Sequence, residues 1–184
     1  MWIALIAVAI LALLVIFGFV QFNKLRRLSI NASEGYAQIE VQLTRRSDLI
    51  PNLVNTVKGY AAHEKSVLEA VTNARAAVGD AHGVGATASA DARLTTALRG
   101  LMVVAENYPD LKASTNFLQL QEELTTTENK IAFARQYYND TVRALNTAVV
   151  TFPSMLFASV AQVGKLEFYE VPDSAARIAP NVGF

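Results

Sequence analysis

There is no cysteine in the 184 residues, which excludes a disulfide framework and any thiolate metal site. That composition suits a reducing compartment. Histidine is nearly absent, with two residues, and aromatic side chains are only 9% of the chain. Few glycines beside abundant Ala, Leu and Val favour helices over sheets. Neither sign of charge is in excess, with 16 basic and 16 acidic residues. An even balance without a basic stripe excludes a nucleic-acid-binding surface. The first 23 residues carry no charged side chain at all.

That charge-free stretch is the first positive feature. Trp2 to Phe22 is apolar throughout except for Gln21, and as a helix it covers roughly 30 Å, the thickness of a hydrocarbon core. Trp2 and Phe22 sit near its ends, and Lys24, Arg26 and Arg27 follow at once. A cleaved secretory signal would need a charged n-region, a shorter core and a small-x-small site. Phe19-Val20-Gln21-Phe22 offers no such site, so the run is expected to be an uncleaved anchor. The three positive charges after it predict an N-terminus outside and the remaining chain in the cytoplasm.

Beyond the anchor, Asn31 to Arg46 reads as helical and in line with it. From Ser47 to Val78 the positions Ile50, Leu53, Val54, Val57, Tyr60, Ala61, Val67, Leu68, Val71 and Ala74 recur at steps of mostly three and four, the mark of an amphipathic helix. Pro51 is expected to start a helical segment or kink a longer one, which would place Asp48 in a first turn, where a carboxylate suits the helix dipole. Val78 to Ala90, with three glycines, reads as a loop. A second helix through Leu94, Leu98, Leu101, Met102 and Ala105 should stop at Tyr108-Pro109. The next should begin near Pro109 or Ser114 and run to Thr151.

In that long helix Phe117, Leu124, Ile131, Tyr138, Leu145 and Phe152 are spaced by seven, beside a row of Gln121, Glu128, Arg135, Val142 and Val149. Such a repeat is the seam of a bundle or coiled coil. Glu128 and Arg135 would need partners if buried, and Arg45, Asp48, Lys58 and Glu64 are the candidates for a polar network fixing helix register. Ser154 to Val163 is apolar but too short to span. A fourth bundle helix is favoured there over an interfacial one, which would want a basic face. The tail from Gly164 is expected to be extended, and its apolar end at Phe184 suggests a docking peptide. These readings give an all-α chain: a transmembrane helix at 1–22, an antiparallel helical bundle at 23–163 and a tail at 164–184.

Three ordered blocks carry a resemblance to a known family. The first is Arg45-Arg46-Ser47-Asp48-Leu49-Ile50-Pro51-Asn52-Leu53-Val54, continued by Val57-Lys58-Gly59-Tyr60 and His63-Glu64. The second is Glu106-Asn107-Tyr108-Pro109-Asp110-Leu111-Lys112. The third passes from Asn116-Phe117-Leu118 through Glu123-Leu124 and Thr127-Glu128-Asn129 to Tyr138-Asn139, Asn146 and Phe152-Pro153. Together with Glu167-Phe168-Tyr169-Glu170 and the closing Ala179 to Phe184, they make the chain resemble the LemA family of bacterial membrane proteins. The resemblance implies an N-out anchor and a four-helix-type bundle in the cytoplasm, and it brings no enzymatic activity with it. Ser154 to Val163 departs from the family's Gly- and Phe-rich stretch, and the Gly79 to Ala90 loop is unusually rich in alanine.

Catalytic chemistry finds little purchase. A metallopeptidase helix starting at His63-Glu64 would need histidine where Val67 stands. A di-iron bundle needs Glu-x-x-His twice, and Gly79 to Gly85 lacks the ending of a phosphate loop. Glu64, Glu106 and Glu128 without histidine are better read as solvated or salt-bridged than as metal ligands. No cofactor is expected. The expected function is that of a non-enzymatic scaffold or adaptor at the bacterial inner membrane, acting by self-assembly as a homo-oligomer or by binding a second membrane protein. Alternatives are an accessory subunit of a membrane protease or other envelope enzyme, and a cation- or ligand-binding sensor. Pro51, Asn52, Tyr108, Pro109 and Phe184 are the candidate partner surface.

Overall fold

The computed structural model describes residues 1–170, and the Phe184 end of the expected docking tail lies outside them. The described chain is all-α. In order it comprises α1 (Trp2–Tyr60), α2 (Lys65–Gly79), α3 (Val84–Ala105), the single turn α4 (Pro109–Lys112), α5 (Thr115–Val150) and a 3₁₀ turn at Ser154–Phe157. Contacts divide it into two compact units. One consists of Met1–Gln38 with Ala134–Phe168, and the other of Ile39–Phe133 with the stretch beginning at Tyr169.

In the first unit the N-terminal part of α1 runs antiparallel to the end of α5. As positions on α1 ascend, their partners descend: Phe17 meets Phe157, Leu25 shares a core with Leu145 and Ala148, and Tyr36 lies against Tyr138. Gly35 allows this approach, because a Cβ there would sit 3.2 Å from the Tyr138 Cα. The series Phe117, Leu124, Ile131, Tyr138, Leu145 is buried as the seven-residue spacing predicts, but Phe152, beyond the end of α5, is 77% exposed. Its neighbouring row holds only in its apolar half: Val142 is buried and Arg135 and Val149 are half-buried, but Gln121 and Glu128 are exposed, and Thr127, Ala134 and Ala148 are buried beside the seam instead. Small residues there let the helices close without burying charge.

The expected fourth helix is not one. Residues 154–162 form the 3₁₀ turn and further turns, and Gln162 takes a left-handed conformation at φ 52°. The ten residues from Ser154 to Val163 make fewer than three turns, too short a segment to sustain a helix in isolation. Gly164 to Glu170 then continues with no regular element. Asn146 clasps it from α5, donating from Nδ2 to the Leu166 carbonyl at 2.9 Å and accepting the Leu166 amide on Oδ1 at 2.8 Å. The Tyr138 hydroxyl donates to the Glu167 carbonyl at 2.7 Å. Burial, followed by the negative potential of Tyr36 and Glu167, raises the Tyr138 pKa above its ordinary value.

The second unit is built around Ile50, Leu53, Val57, Val71, Leu94, Leu101 and Leu111, all at most 1% exposed. Each such side chain contributes about 1.5–3 kcal/mol of burial. Three expectations change here. Helix α1 continues through Pro51, the longer-helix alternative of the two, so what changes is Asp48, which is mid-helix and exposed rather than in a first turn. The predicted single helix from Ser47 to Val78 is broken at 61–64. The apolar stripe explains this, since the steps from Val57 to Ala61 would next bring Glu64 into the core, and a turn moves it aside. The predicted loop at 78–90 shrinks to 80–83, because α3 begins at Val84 and buries Thr87, Ala88 and Ala90. Gly83, at φ 86°, is the residue whose backbone permits so short a reversal.

Candidate functional site

The residues expected to form a polar network are dispersed. Arg45, Asp48, Lys58 and Glu128 are exposed, while Glu64 and Arg135 are half-buried. Glu128 therefore needs no buried partner. Of the candidate partner surface, Pro51 and Asn52 are exposed on α1, Pro109 is the exposed first residue of α4, and Tyr108 is half-buried. At the anchor, Trp2, Lys24, Arg26 and Arg27 are exposed and Phe22 is half-buried. Both histidines are exposed, and among the described residues no three His, Asp or Glu side chains gather as metal ligands would.

The buried charge lies one residue from Arg45. Arg46 on α1 and Asp91 on α3 are each 3% exposed, and Arg46 Nη1 stands 2.9 Å from Asp91 Oδ1. The same nitrogen donates to Thr95 Oγ1 at 3.0 Å, one turn further along α3. The Tyr169 hydroxyl, on a side chain 1% exposed, donates to Asp91 Oδ2 at 3.2 Å. Both carboxylate oxygens are thus engaged, and α1, α3 and the segment after α5 are tied at one point. Removing one member of such a pair leaves a charge uncompensated in a dry interior, which costs about 3–5 kcal/mol. A sequence signal did exist: Ile39, Arg46 and Leu53 are spaced by seven, so Arg46 occupies a seam position. Asp91 is likewise followed at core spacing by Leu94, Leu98 and Leu101.

Pro51 has a second consequence. Having no amide hydrogen, it cannot donate to the carbonyl of Ser47, one turn back. Arg75 of α2 takes over that role, with Nε donating to the Ser47 oxygen at 2.8 Å. A helix-breaking residue is thereby converted into a tie between helices. At the 61–64 turn, Tyr108 Oη donates to Glu64 Oε1 at 3.1 Å. That hydrogen bond, then burial, then the Glu64 charge raise the Tyr108 pKa. Nearby, a hollow of about 280 Å³ is lined by Met102, Glu106, Lys112, Phe117, Leu118 and Gln121. Leu118 is 51% exposed at its edge. An open groove of about 660 Å³ between α2 and α3 is lined mainly by alanine.

The chemistry of these places is that of structure and contact. The buried ion pair is spent on itself, and the open surfaces are shallow and mixed in polarity. In α1 the apolar segment is not buried in the fold, and the helix is long and apolar enough there to cross a membrane. These features define a membrane-associated, all-α protein. Residues 35–184 match the LemA family, and the chain belongs to that family. It is 23% identical over 176 residues to magnetosome protein MamQ 1 of Paramagnetospirillum magneticum, covering 82% of this chain and 65% of that protein. It is 22% identical over 175 residues to magnetosome protein MamQ of Magnetospirillum gryphiswaldense, covering 81% and 64%. To protein LemA of Metamycoplasma hominis it is 27% identical over 151 residues, covering 81% and 66%. The chain therefore spans slightly less than two thirds of the length of these relatives.

Proposed function

We propose that this protein is a non-enzymatic, membrane-anchored helical scaffold or adaptor, acting through self-assembly or by binding a membrane partner. The observation that carries the reading is the continuity of α1. One helix extends from Trp2 to Tyr60, its first part exposing Ile3, Leu5, Ile6, Val8, Leu11 and Leu13 at 59% or more. Its later part supplies the buried Ile50, Leu53 and Val57. Exposed apolar area of that extent is unfavourable in water and satisfied by lipid. Lys24, Arg26 and Arg27 after the apolar run support a span of the bacterial inner membrane with the helical domain in the cytoplasm. Neither the family's description nor the relatives' names denote an enzyme.

Light scattering on the purified full chain in detergent, joined to cross-linking in intact membranes, tests the assembly arm. A defined particle of several copies in both settings is the result expected of a self-assembling scaffold. A monomer in both refutes self-assembly and leaves an adaptor, to be sought by its cross-linked partner.

A further inference from the structure

Residues 152–163 combine three properties that a soluble turn does not need. First, they are strongly apolar where they are exposed: Phe152 is 77% accessible, Val160 69%, Leu156 59% and Met155 48%. Second, they lie along the last turns of the apolar segment. The rings of Phe157 and Phe17 meet edge to face with centroids 6.2 Å apart, and a Cβ at Gly18 would come within 3.3 Å of the Phe157 ring. Ser154 Oγ and Gln21 Oε1 are hydrogen-bonded at 3.0 Å, and Arg26 reaches the Ala161 carbonyl at 3.4 Å. Third, the backbone satisfies itself locally, with the amides of Met155, Leu156, Ala158, Ala161, Gln162 and Val163 all donating to carbonyls within 151–159.

From these contacts we infer that 152–163 is a membrane-embedded wedge, seated in the boundary between headgroups and acyl chains on the side where α1 leaves the bilayer. The inference rests on the spanning reading of α1. If Lys24, Arg26 and Arg27 mark the headgroups, Phe17 lies about 10 Å deeper, at 1.5 Å of rise per residue. Phe157 packs at that depth, and the segment climbs back to Arg26 at Ala161. That interval of about 10 Å is the one in which interfacial segments bury their apolar faces. Lipid-exposed non-helical backbone is excluded from the hydrocarbon centre, which confines the segment to the boundary region, where the six local amide bonds reduce the cost of entry. The occupant of the exposed face is lipid, because the face is continuous with the lipid-facing surface of Ile16 to Val20. The basic groups an interfacial element uses come from the neighbouring helix, which is why its own sequence lacks them.

The absence of native cysteine makes the test direct. Single variants Leu156→Cys and Val160→Cys, with Leu11→Cys and Val103→Cys as references, are spin-labelled in the full chain. They are reconstituted in vesicles of phosphatidylcholine and phosphatidylglycerol. Collision with dissolved oxygen reports lipid and collision with a water-soluble nickel chelate reports solvent. The wedge predicts an oxygen-to-nickel ratio at 156 and 160 several-fold above that at 103, on the bilayer side and shallower than at 11. A ratio at both positions equal to that at 103, with 11 embedded, overturns the wedge and leaves the span. Protection from both reagents means a protein neighbour and also overturns it. Solvent exposure at 11 overturns the span and the wedge together.

Discussion

If Arg75 compensates for Pro51, the two residues must be energetically coupled. Replacing Arg75 with glutamine removes a charged donor 2.8 Å from the Ser47 carbonyl and leaves that oxygen without a helical donor. Hydrogen bonds from charged groups are worth about 1.5–3 kcal/mol, and the half-buried Arg75 belongs at the lower end, about 1.5. Replacing Pro51 with alanine restores the amide donor within α1. A helix-interior proline costs about 3 kcal/mol relative to alanine, against which the freer unfolded chain returns about 1. Pro51→Ala should therefore stabilise by about 1–2 kcal/mol. In that background the restored backbone amide donates to the Ser47 carbonyl, so Arg75→Gln should cost only about 0.5 kcal/mol, a coupling of about 1. Native-state hydrogen exchange of the α2 amides, in the full chain in detergent, reads these local free energies without requiring the whole molecule to unfold as one. Equal costs of Arg75→Gln in both backgrounds, or a destabilising Pro51→Ala, would refute the compensation.

Three further outcomes follow from the packing and the titrations. Asp91→Asn should destabilise α3 by about 3–5 kcal/mol, and Arg46→Met with Asp91→Leu should recover most of the loss; hydrogen exchange across 84–105 checks both, and an Asp91→Asn cost below about 1 kcal/mol counts against a buried pair. Tyr108 and Tyr138 should ionise later than free tyrosine, whose pKa is 10.0. Because the folded pKa is raised, their stabilising share is complete below that value and lost as pH climbs through the folded one. Alkaline absorbance titration should lose a late component in Tyr108→Phe, and Glu64→Gln should advance it. Gly35→Val should cost about 1–3 kcal/mol by overpacking against Tyr137 and Tyr138, and Gly35→Ala should cost less, because helix propensity of about 1 kcal/mol offsets part of the tight contact; denaturant unfolding separates the two.

Features governed by neighbours in sequence were legible from it. The apolar run to Phe22, the row from Phe117 to Leu145 and the break at Tyr108-Pro109 all depend on periodicity or on proline stereochemistry, and all are found. What was not legible depends on the tertiary partner. The turn at 61–64 exists because continuing α1 would bury Glu64, which periodicity alone does not price. The glycines at 79–85 suggested a long loop, but burial of Thr87 and Ala88 draws the helix back to Val84. At the candidate site, Arg45 and Arg46 are adjacent and chemically alike, and only the seam phase Ile39–Arg46–Leu53 distinguishes the buried one. The partners Asp91 and Tyr169 are 45 and more residues away in sequence, beyond any local pattern.

The clasp on Leu166 recognises a peptide group and nothing else. Asn146 offers one donor and one acceptor to the backbone, and Tyr138 adds a donor to the next carbonyl. Position 166 is therefore free to drift in side-chain identity while the chain keeps its course, unlike Tyr169, whose buried hydroxyl is held to Asp91. Proline at position 166 is the exception, since it has no amide to give. Homologous chains should show wide tolerance at that position with this one residue missing, a pattern of exclusion rather than of preference.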